Sequence, residues 1–253
     1  MCEMLAARAF RAARATDRSA GANSCRHVRA VPQFGGLNGT SSSIEIAGVE
    51  GAMSKLYRPS HRALQEQFDT VRLADRIESR LFREQMTADD RAFIERLDLF
   101  FLATADARGC PNCSFKGGDP GFVRTLDERT LVFPNYDGNG MYLSLGNAAE
   151  NPQIGMLFID FANQKRLRVN GTASIAPSGS VDPPFPEAQF VVRVAVREVF
   201  PNCPRYIPKM QRVEPSRFIP RPGVQTPVPG WKRTEWACDV LPDGNPALDP
   251  KNP

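Results

Sequence analysis

Three clusters between Cys113 and Ala173 carry residues able to hold an anion. Ser114-Phe115-Lys116-Gly117-Gly118 sets a lysine directly before two glycines. Pro134-Asn135-Tyr136-Asp137-Gly138-Asn139-Gly140 is a glycine-opened loop followed by Met141. Arg166-Leu167-Arg168-Val169-Asn170-Gly171 alternates cations with apolar residues. Glycines let successive backbone N–H groups converge, and a helix start adds positive potential, so the second cluster can cradle a phosphate. Lysine and arginine supply the balancing charge, arginine as a planar fork of donors. The chemistry that fits is a bound phosphate attached to a flat ring. Each cluster also has a plainer reading: a capped turn, a solvated edge lysine, the polar face of a half-exposed strand. Their joint occurrence favours the anion site.

Other groups carry less. Cys110-Pro111-Asn112-Cys113 has redox or zinc spacing, but no second ligand pair stands at a suitable distance, so no metal site is expected. His27 and His61 are the only histidines, and no serine–histidine–acid set can be built from them. Pro201-Asn202-Cys203-Pro204-Arg205-Tyr206-Ile207 closes the last apolar run, and its plain reading is a Pro-rich strand exit with Tyr206 packed in the core.

The elements that must position these residues read as follows. Leu64, Phe68, Val71, Leu73, Ile77 and Leu81 recur at helical spacing between His61 and Arg83. Thr87 before Ala88-Asp89-Asp90 caps a second helix. Strand patterns run over Leu99–Ala105, Asn112–Lys116, Phe122–Leu126, Leu131–Phe133, Ile154–Phe161, Leu167–Ala176 and Phe190–Val199. Among them only Met141–Glu150 reads as a helix, stopped by Asn151-Pro152. On a strand, Ser114 and Lys116 share one face and Phe115 takes the other, while Arg166 and Arg168 face one way. Many strands, short turns and one inserted helix suggest an antiparallel barrel.

Residues 1–52 are Arg-rich, then Gly/Ser-rich, and are expected to be a disordered extension; Met53 looks like a natural beginning. Residues 53–90 form a helical segment, 91–212 the main domain, and 213–253 a Pro-rich tail whose end, after Pro242, is expected to fray. Trp231 and Trp236 suggest that the tail packs on something. A net charge of +4, dispersed along the chain, argues against nucleic acid as the main partner. No apolar run reaches membrane-spanning length, and six scattered cysteines do not make a secreted disulfide framework. The expected setting is cytoplasmic.

The order and spacing of several short motifs resemble the pyridoxamine 5′-phosphate oxidase-like family of FMN-binding split-barrel proteins. The carrying residues are Gly118-Asp119-Pro120-Gly121-Phe122-Val123, Leu131-Val132-Phe133-Pro134, Asp137-Gly138-Asn139-Gly140, Asn147, Asn151-Pro152, Gly155-Met156-Leu157-Phe158-Ile159-Asp160 and Leu167-Arg168-Val169-Asn170-Gly171, within about Asp90 to Val199. The resemblance implies a mainly β (α+β) fold, a six-stranded antiparallel split β-barrel with flanking helices. It also implies a homodimer with FMN in the cleft between subunits.

By position, Ser114, Phe115 and Lys116 would run along the flavin toward its phosphate. Phe133, Pro134, Asn135 and Tyr136 would sit beside the ribityl chain. Asn139, Gly140 and Met141 would meet the phosphate, and Arg166 and Arg168 the flavin; Cys203, Arg205 and Tyr206, in a segment similar to one that lies near the flavin in such relatives, would face the substrate. The oxidase's basic pair at the phosphate is missing, as is its C-terminal Arg-x-His signature, so the broader flavin-nucleotide-binding relatives match better than the oxidase itself. The function implied is FMN-dependent redox chemistry on a small molecule. The rivals are a deazaflavin-dependent reductase and a non-enzymatic flavin-carrying or haem-handling protein.

Overall fold

Strict alternation along the strands decides which side of the sheet each residue takes. In β1 (Leu99–Ala105) the residues Phe100, Leu102 and Thr104 are buried, and in β5 (Gln153–Asp160) Ile154, Met156, Phe158 and Asp160. The computed structural model describes residues 54–252. The other strands are β2 (Pro111–Gly117), β3 (Arg124–Thr125), β4 (Thr130–Asn135), β6 (Lys165–Pro177) and β7 (Phe190–Pro201). All pair antiparallel, in the order β2-β1-β5-β6-β7-β4-β3.

This sheet is curled into a barrel. β1 and β4 stand four places apart, roughly 19 Å on a flat sheet, yet the rings of Phe100 and Phe133 meet at 5.1 Å. Phe122 and Phe158 complete the aromatic centre of the core. The sheet has seven strands rather than six because β3 adds a two-residue pairing with β4. The strand expected over Phe122–Leu126 shrinks to that pair, since Phe122 and Val123 turn into the core. A bulge between Asn170 and Gly171 bends β6. Gly171 lies so close to the neighbouring strand that a Cβ there would run into the Ala195 carbonyl.

The helical segment departs from the continuous helix expected between His61 and Arg83. It forms α1 (Pro59–Gln67) and α2 (Val71–Leu81), separated where Asp69 takes a left-handed φ of 52°. α3 (Ala88–Glu95) starts as its sequence dictates. Thr87 Oγ1 accepts from the Asp90 amide at 3.1 Å, and the Asp90 carboxylate accepts from the Thr87 amide at 2.8 Å. α4 (Leu143–Glu150) begins two residues later than expected, because Tyr142 is itself left-handed at φ 48°.

The tail is tied down by ion pairs: Arg212 to Asp98 at 2.6 Å, Arg221 to Asp119 through two bonds of 2.6 and 2.9 Å, and Lys232 to Asp137. Its end makes contacts of its own. Pro246–Leu248 is a 3-10 turn, and the carbonyl of Asn252 accepts from Arg233. Residues 1–52, expected to be an extension, lie outside the described residues. Among the described residues, no helix is long and apolar enough to cross a membrane.

Candidate functional site

The register of β2 on β1 pairs Lys116 with Phe100, Ser114 with Leu102 and Asn112 with Thr104. Lys116 and Ser114 therefore point to the core side of the sheet, and Phe115 points away, 61% exposed. α4 closes over this side. Ser144 hydrogen-bonds to both Asn112 (3.0 Å) and Ser114 (2.8 Å), and Asn147 donates to Thr104 at 3.3 Å. The Ser114 hydroxyl is thus engaged with the protein. The helix runs from the Ser114 end of β2 toward the Asn112 end, so Lys116, two residues beyond Ser114, lies on the side of its amino end. Burial lowers the Lys116 pKa from its ordinary value. Among the described residues no carboxylate pairs with it. A half-buried cation without a counter-charge, beside a helix start, suits an anionic ligand.

β4 delivers the loop that leads into α4. The ring of Phe133 is 1% exposed inside the core, and Pro134 is buried, so at these two positions the backbone is what a ligand could touch. Asn135 donates to Gln189 at 2.8 Å, and the Tyr142 hydroxyl donates to the same oxygen at 3.0 Å. Tyr136 is half-buried, and burial pushes its phenol up to about 12. Beyond it, Asp137, Gly138, Asn139, Gly140 and Met141 are exposed. Gly140 needs its φ of 75°, and open space surrounds both glycines. Asn139 Oδ1 accepts from the Met141 amide at 3.1 Å, which fixes the turn into α4. These residues fit a phosphate-bearing ligand: an open glycine loop, backbone amides, and the Lys116 ammonium.

Arg166 and Arg168 are not part of that cluster. They pair with Ile159 and Leu157 on the face opposite Phe158 and Leu167. The row of Lys116 runs through Phe100 and Phe158 to Leu167, so the arginines lie three strands away, on the order of 14 Å, and across the sheet. Within one chain, then, these two arginines stand apart from Lys116. Arg168 lies over Phe200, 5.9 Å from its ring centre, while Arg166 Nε has no hydrogen-bond partner. Arg166 lines a cleft of about 440 Å³ with Asp89, Phe93, Arg96, Leu167 and Asn202.

Cys203, Arg205 and Tyr206 follow β7 near the β5–β6 turn, where Met210 donates to the Phe161 carbonyl at 3.2 Å. All three are exposed, and Tyr206, at 87%, is not a core residue. The cysteines at 110 and 113 are exposed free thiols. Among the described residues, no three His, Cys, Asp or Glu side chains are grouped so as to hold a metal ion.

Sequence reasoning missed Ser144, Gln189 and Lys232, which touch the predicted residues directly. Ser144 was findable, one turn into an expected helix beside a polar strand face. Gln189 and Lys232 lie far along the chain with no local pattern to mark them.

No curated protein matches this chain. Solved structures do. HupZ from Group A Streptococcus is 22% identical over 46% of this chain and 93% of its own, with a TM-score of 0.37. The haem storage protein HutZ from Vibrio cholerae is 16% identical over 46% of this chain and 94% of its own, TM-score 0.31. An FMN-binding protein from Syntrophomonas wolfei is 11% identical over 56% of this chain and 96% of its own, TM-score 0.34. A sequence model described as pyridoxamine 5′-phosphate oxidase matches residues 86–214. That span is just over half of the chain and takes in α3, all seven strands and α4, and on it the chain belongs to the pyridoxamine 5′-phosphate oxidase family.

Proposed function

We propose that this protein binds FMN between two copies of itself and serves as an oxidoreductase for a small organic substrate. The observation that carries the reading is Lys116, a half-buried ammonium without a carboxylate partner among the described residues, on the side of the amino end of α4, the helix that the Asp137–Gly140 loop leads into. In a member of this family, that arrangement suits the phosphate of a flavin nucleotide. The backbone of Ser114–Lys116 and the Asn135–Tyr136 strand end would orient the ring and ribityl chain. When bound, FMN supplies two-electron chemistry, so the protein's own work is to bind, orient and exclude water.

The second copy is supported by the division of the candidate residues. Arg166 and Arg168 cannot reach the Lys116 side of their own sheet. Their face also carries Phe101, Phe115, Leu157 and Ile159, apolar enough to pack on another chain. A two-fold pairing would carry the arginines of one copy to the site of the other.

The test is the absorption spectrum of the purified protein, with mass identification of whatever denaturation releases. Two bands in the near-ultraviolet and blue, with released FMN, are the expected result. A deazaflavin or haem spectrum would replace the cofactor assignment. A colourless protein that fails to bind added FMN would end it. Bound flavin that no reductant or oxidant turns over would remove the enzyme and leave a binding protein.

A further inference from the structure

Among the described residues, Lys232 is the one buried basic side chain, 3% exposed. An ammonium taken out of water needs a partner, and its partner is Asp137, the first residue of the glycine loop. Lys232 sits in a 3-10 turn, Gly230–Arg233, with Nζ 5.7 Å from the ring centre of Trp231. Trp231 in turn stacks on Trp236 at 5.8 Å and 15°. The segment reaches this point by way of two earlier ion pairs. Asp98 and Asp119 flank the end of β2, one just before its partner strand and one just after Gly117, and they hold Arg212 and Arg221. Thr226 then donates to Glu187 at 3.0 Å, two residues before the Gln189 that holds Asn135 and Tyr142. Acidic residues from four separate places around the candidate site are therefore met, in order, by donors of one C-terminal segment.

From this we infer that residues 212–237 form a wall of the cofactor site, with Lys232 as a positioning residue for the Asp137–Gly140 loop. The inference rests on the FMN reading above for what the loop binds. The physical reason is charge as well as shape. A carboxylate at Asp137, two residues from the amides that would meet a phosphate, opposes a dianion. Lys232 cancels that charge and fixes where the loop leaves β4. Lys232 thus removes a charge that would oppose the phosphate, and the basic pair absent from the loop stays absent.

The experiment uses the full chain and three variants: K232M, D137N and K232M/D137N. Exchange of the Met141 amide, which Asn139 Oδ1 holds, is measured without flavin, and FMN affinity by titration. K232M is expected to exchange this amide faster and to bind FMN about tenfold more weakly, the scale of one lost charge pair, with the deficit growing as salt is lowered. Adding D137N to K232M should recover most of the affinity while exchange stays fast. A role in folding alone would give no such rescue.

Unchanged exchange in K232M, or an affinity loss that D137N does not relieve, overturns the inference. If K232M does not fold, D137N alone decides, by showing faster or unchanged exchange of the Met141 amide. A wild-type chain that binds no FMN sinks the cofactor reading, and the exchange data then judge the loop contact by themselves.

Discussion

Lys116 places an ammonium against the core side of β2, where burial disfavours the charged form and lowers its pKa from the ordinary 10.5. The folded chain therefore releases this proton at a lower pH than the unfolded chain. Between the two values the unfolded state holds more protons, so stability rises with pH; below both, the full penalty remains. Denaturant midpoints measured toward pH 10.5 should show that gain in the wild type and lose it in K116M. The same variant should bind FMN more weakly by roughly 1.5–3 kcal/mol, the worth of a charge-assisted bond. Equal affinity in K116M would remove the lysine from the site. The two measurements separate the cost of holding the lysine from its use.

At the scale of elements, β6 depends on close approach at its bulge. Gly171→Ala would push a methyl into the Ala195 carbonyl and the Val194 side chain. The expected loss is about 1–3 kcal/mol, read as a lower thermal midpoint; an unshifted midpoint would mean that β6 and β7 separate freely there. The strands were legible because alternation is a local signal: Phe100 and Leu102 in β1, or Met156 and Phe158 in β5, declare their face within a few residues. The helix breaks were not. Nothing around Asp69 or Tyr142 forces a left-handed backbone, and the hydrogen bond and stacking that hold Tyr142 come from Gln189 and Phe190. The contacts of the tail were not legible for the same reason. Its prolines correctly forbid long elements, but its anchors are carboxylates on distant loops.

For the whole molecule, the candidate site was legible as a set of residue types and not as a place. Lys116 and Arg166 each read as an anion contact, and parity along single strands said nothing about which side of a common sheet each would take. That side is set by the order β2-β1-β5-β6, a property of the fold. Sedimentation or light scattering is expected to give twice the 28.0 kDa of one chain, and a monomer that still holds FMN would refute the shared site. The sheet that divides Lys116 from the arginines also makes the two defects separable by inheritance. K116M and R166A chains, each weak alone, can be unfolded together and refolded as a mixture. A mixed pair gathers both lesions into one of its two sites and leaves the other with every native residue. Random pairing makes half of the dimers mixed, so flavin binding should return in a mixture of two failing proteins, as in genetic complementation between alleles.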